Sequence, residues 1–156
     1  FIAVVDKFWF STQNPRNKFT ETNGTFAEFI DEYVRGVQRT MDMLGDLIGA
    51  EREKVAQGKF TYHAQYFHFL FQLLQYDPDA KEKLRNLVDG DYAYWRAAIQ
   101  RAIATGELRE DVDVEDAVVM FRQVYMGLSF EMAFMGGLNT QRLAKHLHAV
   151  YSLLKR

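Results

Sequence analysis

The side chains best suited to moving protons or binding a metal near neutral pH are four histidines, at positions 63, 68, 146 and 148. His63 and His68 are five residues apart, on different sides of a helix. His146 and His148 are two apart and also diverge, so neither pair offers two ligands to one ion. None has Glu or Asp three positions before it, which removes the Glu-x-x-His pattern of di-iron bundles. There is no cysteine, no glycine-rich phosphate loop and no Gly-x-Ser-x-Gly turn. Thiolate, nucleotide and serine-nucleophile chemistry therefore lack their usual parts. No catalytic residue, metal or cofactor is expected, and the chain is not read as an enzyme.

Two ionisable residues nevertheless fall where apolar ones belong. His63 lies on the apolar face of an aromatic helix. Its ring nitrogens there meet either a ligand or a core partner. Asp91 falls in the inward stripe of its helix between Leu87-Val88 and Tyr92-Trp95. A buried carboxylate must be paired, protonated or facing water in a cavity. Gly90 beside it permits a bend that would turn it outward, and that bend is the favoured expectation. As an acid–base pair, His63 and Asp91 give the weakest of three functional readings.

The remaining candidates are large rings with polar tips. Tyr33, Met41, Tyr66, Phe67, Tyr92, Trp95, Phe121 and Tyr125 point inward on four helices, with Val37, Leu70 and Ile99 on the same stripes. Any one of them has a plain core reading. Together, so many phenols are hard to satisfy in a dry interior, and they suggest a mostly apolar ligand pocket.

The elements that must position these residues read as all-α, a single bundle of about six helices. Residues 1–10 look like the end of an apolar helix, and residues 11–24 like a polar loop with Asn14-Pro15 and Asn23-Gly24 as turn signals. Thr25 and Glu28 form a capping box for a long amphipathic helix from Phe26. Residues 60–76 carry the aromatic helix. Asp77-Pro78 starts the next one, which Gly106 stops. Asp113 caps the following helix, Gly136-Gly137 ends it, and Asn139 caps the last.

The helix at 114–135 organises the rest. Val114, Ala117, Val118, Phe121, Tyr125, Leu128 and Met132 form one stripe at helical period. The opposite side carries Met120, Val124, Gly127, Phe130 and Phe134, with Gln123 and Glu131 as polar breaks. A helix apolar nearly all round lies in a core or against a partner. One face is therefore expected to close the chain's own bundle and the other to meet a second copy. Met120, Gln123, Val124, Gly127 and Phe134, with Leu147 and Tyr151 of the last helix, are the expected dimer contacts. Glycine at 127 costs about 1 kcal/mol relative to alanine in a helix, which close approach of a partner helix or a kink would explain.

With 156 residues, 48% apolar and 15% aromatic, one domain with a substantial core is expected and disorder is not. A net charge of −2 argues against this chain gripping DNA by itself. No apolar run is long enough to cross a membrane. The absence of cysteine fits a cytoplasmic location. Because the chain opens at Phe1, it is expected to be part of a longer polypeptide.

The run Tyr94-Trp95, then Ile103-Ala104-Thr105-Gly106-Glu107-Leu108-Arg109, Asp111-Val112-Asp113 and Gly127-Leu128, resembles the C-terminal half of TetR-family transcriptional regulators. The resemblance implies that residues 1–12 are the tail of a helix leading from an N-terminal helix-turn-helix, so that DNA is contacted only through residues outside this chain. It implies that residues 1–156 form an effector-binding and dimerisation domain. Its last two helices, within 113–154, would form a four-helix interface with a second copy. Ligand binding would change the spacing of the two DNA readers. The leading expectation is accordingly the ligand-sensing, dimerising domain of a TetR-like repressor, with a small, partly apolar effector. The runner-up is a helical protein–protein adaptor using the 114–135 face.

Overall fold

In the computed structural model the described residues are 10–19, 24–47 and 62–156, with only the backbone described at 44–47 and 62–65. Among the described residues a short 3-10 turn, Pro15–Asn17, precedes five α-helices: α1 (Phe26–Leu47), α2 (Tyr62–Tyr76), α3 (Ala80–Ala104), α4 (Val114–Ala133) and α5 (Thr140–Leu154). The fold is all-α, and the described residues contain no strand. Of the helix expected at 1–10, residues 1–9 lie outside the described residues.

Local chemistry sets the helix ends. The Thr25 N–H donates to Glu28 Oε2 at 2.8 Å and the Glu28 N–H to Thr25 Oγ1 at 3.2 Å, a closed capping box. The Asp113 carboxylate accepts from the Asp116 N–H at 2.9 Å, and the Asn139 side chain from the Arg142 N–H at 3.1 Å. Gly106 at φ +77° and Gly137 at φ +96° take the left-handed conformation that ends α3 and α4. The start of α3 differs from the expectation. Asp77 Oδ1 accepts from the Asp79 N–H at 2.9 Å, so Pro78 sits in an Asx turn and the helix begins at Ala80.

α4 packs on α2, α3 and α5, while α1 packs on α5 and α3. The core is built around Trp95 of α3. Its ring stacks on Phe121 at 4.9 Å and meets Tyr33 and Phe29 edge-on at 4.9 and 5.1 Å. The two faces of α4 divide as their spacing requires. Ala117, Val118, Phe121 and Leu128 are buried, while Met120, Phe130 and Phe134 are exposed. Leu147 corrects the dimer-contact set: it is wholly buried in its own subunit's core and offers nothing to a second copy. Tyr151 is half-buried with its ring 5.9 Å from Phe26.

The connector between α3 and α4 ties the chain together. Leu108 fills the core, and the Glu107 carboxylate accepts the N–H groups of Phe26 at 2.7 Å and Ala27 at 3.3 Å. A carboxylate at a helix start satisfies free N–H groups and opposes the helix dipole. Glu107 Oε1 also accepts the Tyr151 hydroxyl at 3.0 Å, and burial together with this bond raises that phenol's pKa. Arg109 donates to the Leu153 carbonyl, and its backbone N–H reaches Leu154 O at 3.1 Å. One short segment thereby holds the start of α1 and the end of α5. Glu107→Ala is expected to lower unfolding free energy by about 2 kcal/mol, with Glu107→Gln intermediate. Urea titration checks this, and an unchanged midpoint in Glu107→Ala would remove the carboxylate from this role.

Candidate functional site

The segment before α1, a loop by its polarity, turns inward. Thr12, Gln13, Lys18 and Phe19 are all buried. Two mid-helix glycines make this approach possible. A methyl group at Gly36 of α1 would lie 2.0 Å from the Lys18 carbonyl oxygen, and one at Gly90 of α3 would lie 2.8 Å from Pro15 Cγ. The segment is thus seated between α1 and α3, with the Lys18 side chain carried inside.

There Lys18 meets Asp91 of α3 and Arg122 of α4. The Lys18 ammonium lies 3.7 Å from Asp91 Oδ2, and Arg122 Nη2 lies 3.5 Å from the same oxygen. All three side chains are more than nine-tenths buried. Asp91 therefore stays within a continuous α3 and is paired, not turned outward at Gly90 as expected from the sequence. Asp91 Oδ1, Arg122 Nε and Nη1, the Tyr33 hydroxyl and Ser129 Oγ are buried with no hydrogen-bond partner. The Tyr125 ring lies 5.6 Å from the Lys18 ammonium and 5.5 Å from the Arg122 guanidinium. Burial opposes the charge on Arg122, but Tyr33, Asp91 and the neighbouring tyrosines outweigh it and its pKa is raised. Burial above all raises the Tyr33 and Tyr66 phenols, with Tyr125 adding to the effect, so both remain neutral hydroxyls at ordinary pH.

A cavity of about 110 Å³ opens beside this cluster. Val37, Met41, Tyr66, Phe67, Leu70 and Tyr125 line it, as their inward stripes suggested. Gln13, Lys18, Thr40 and Arg122 add polar groups that sequence pattern missed, and Leu84, Val88, Met126 and Ser129 complete the wall. Trp95, Ile99 and Phe121 instead belong to the dry core, each with no exposed surface, and do not line the cavity. Tyr33 and Asp91 stand behind the wall. Tyr92 lies on a separate surface depression with Asp89, Arg96 and Glu115, the last two joined by a bidentate pair at 2.6 and 2.9 Å. The backbone of His63 lies in α2, and its side chain is outside what is described. Among the described residues no group of three or more His, Cys, Asp or Glu side chains could hold a metal ion.

A family profile described as "Tetracyclin repressor-like, C-terminal domain" matches residues 37–148. The chain belongs to that family. No curated relative and no solved structure matches it. Domains of this tetracyclin repressor-like family typically bind small ligands and dimerise in regulators, and in general they are not enzymes. The profile's span includes the connector at 106–113 and every helical residue that lines the cavity, but it begins part-way along α1, after Lys18. The described residues contain no helix long and apolar enough to cross a membrane.

The seating of Lys18 gives a test whose sign is informative. In an unconstrained helix, replacing glycine by alanine gains about 1 kcal/mol. At Gly36 the added methyl collides with backbone, so Gly36→Ala is expected to destabilise by about 1–3 kcal/mol. Chemical denaturation reads the difference. A more stable Gly36→Ala protein would mean that the Lys18 segment is not held against α1.

Proposed function

We propose that this chain is the ligand-sensing and dimerisation domain of a TetR-like transcriptional repressor. The observation that carries the reading is the position of α4. One side of this helix supplies Arg122, Tyr125, Met126 and Ser129 to the cavity, and its other side leaves Met120, Phe130 and Phe134 exposed. Phe134 has 71% of its surface accessible, and Met135 next to it 72%. Large exposed apolar groups on one helix face favour burial against a partner. The exposed Gln123 and Gly127 and the partly buried Val124 continue that face. An added methyl at Gly127 meets no atom within 4 Å, so the backbone there is open to a close neighbour.

In this reading a small, partly apolar effector enters the cavity and presses on α4. The helix cannot shift on its inner side without shifting its outer side, where a second copy packs. An effector that binds one arrangement of α4 better than another moves the population between them. The DNA readers, in residues outside this chain, would then change their spacing. A cytoplasmic location follows from the role.

Two measurements test the proposal. Sedimentation equilibrium is expected to show a homodimer, with Phe134→Asp weakening association by at least about thirtyfold and leaving the fold intact, since Phe134 is exposed. A stable wild-type monomer would defeat the dimer claim. A thermal-shift screen of small, partly apolar compounds is expected to find stabilisers. Leu70→Trp, which fills the cavity, should weaken them at least tenfold in direct calorimetric titration. Stabilisers that bind Leu70→Trp undiminished would place the effector elsewhere.

A further inference from the structure

We infer that the effector is a small organic anion, its acid group held by Arg122 and Lys18 and its apolar body lying along α2 and α3. This rests on the small-molecule reading above and narrows it to one ligand chemistry. Both cations line the cavity, whereas Asp91, the single carboxylate paired with them among the described residues, stands behind the wall. Two positive charges against one negative leave the buried cluster one positive charge in excess. A buried charge without a counterion is costly, and the penalty falls when an anion completes the set.

The contacts to Asp91 are also incomplete. Both cations approach one oxygen, Oδ2, at 3.7 and 3.5 Å, longer than a charge-assisted hydrogen bond. Arg122 also keeps Nε and Nη1 without partners, both sealed inside the packed cluster, so the guanidinium is under-satisfied where it stands. The face of Tyr125 offsets part of this charge but accepts no conventional hydrogen bond from those N–H groups. A neutral alcohol or amide would leave the excess charge in place. A carboxylate brings the missing negative charge to the two cations that line the cavity.

Away from the cations the wall turns apolar, with Phe67, Leu70, Leu84 and Val88. The volume, about 110 Å³, limits the body to a single ring or a short chain. An enclosed apolar cavity of about 150 Å³ holds benzene, so a ring enters this smaller, open one with an edge left at the mouth. Monocyclic aromatic acids and short fatty acids fit both ends of the site.

The test compares benzoate and hexanoate with their neutral counterparts benzamide and hexanol, by isothermal titration of the wild-type protein. The acids are expected to bind at least tenfold more tightly than the neutral partners. Arg122→Met, which removes the buried charge but keeps bulk, should abolish that preference while retaining neutral binding. Lys18→Met should reduce the preference and serves equally if Arg122→Met fails to fold. Neutral compounds binding as well as the acids, or an acid preference unchanged in these variants, would overturn the anion while leaving a cavity ligand standing. No heat with any of the four compounds would overturn the cavity ligand itself, and the anion with it.

Discussion

A single carboxylate, Asp91, is caught between a lysine and an arginine in the interior, and the arrangement around the cavity depends on it. The three side chains come from three separate places: the turn segment before α1, the middle of α3 and the middle of α4. Burying three charges costs several kcal/mol per ion before any attraction is counted. Apolar residues of similar volume would stabilise such a bundle as well or better. Stability alone is therefore a poor reason for the cluster. Its geometry reinforces the point, since contacts of 3.5 and 3.7 Å to one shared oxygen are far from the best pairing these groups can make. A site that must accept another charged group has reason to leave its own pairing incomplete.

The frame that tolerates this cost is conventional and strongly fixed. Trp95, Phe121 and Phe29 interlock in the dry core, with Tyr33 joining them to the charged cluster, and the Glu107 connector fastens α1 to α5 at one end of the bundle. The rigid end and the charged, hollow region thus occupy different parts of the same helices. α3 supplies Trp95 to the first and Asp91 to the second, one turn apart. Separating the two lets the cavity wall carry unpartnered N–H and hydroxyl groups without putting the fold at risk.

How much of this was readable in advance follows from how local each signal is. The capping box at Thr25 and Glu28, the Asp113 and Asn139 caps and the glycine stops at 106 and 137 depend on residues within one turn, and all stand where the sequence places them. The stripes of α4 were equally legible because period alone decides them. The polar half of the cavity was not. Lys18 sits in a stretch whose composition reads as a solvated loop, and its burial depends on Gly36 and Gly90, distant in sequence. The mid-helix glycines were the available sign that something packs closely there, although at Gly90 a bend is what the sequence favours. Arg122 lies between the two apolar stripes of α4, where a long charged side chain reads as surface. Pattern also could not tell Trp95, Ile99 and Phe121, which fill the core, from Phe67 and Leu70, which line the hollow. Both sets point inward, and only the packing of all four helices shows where the interior runs out of side chains.

That distinction bears on how a domain of this kind can respond to a ligand. A residue in the dry core touches neighbours on every side and cannot move alone, because interiors are close-packed. Arg122 and Tyr125 have neighbours on one side and the cavity on the other. They are also two-thirds of a turn or less from Gln123 and Val124 on the outer side of the same helix. An anion drawn to Arg122 would relieve the excess charge and pull on the one helix that also carries the exposed aromatic strip of Phe130 and Phe134. The binding energy is then released at the helix whose position a second copy would read. Had the charge pair come from α1 and α3 alone, the same anion could bind with no consequence at that surface.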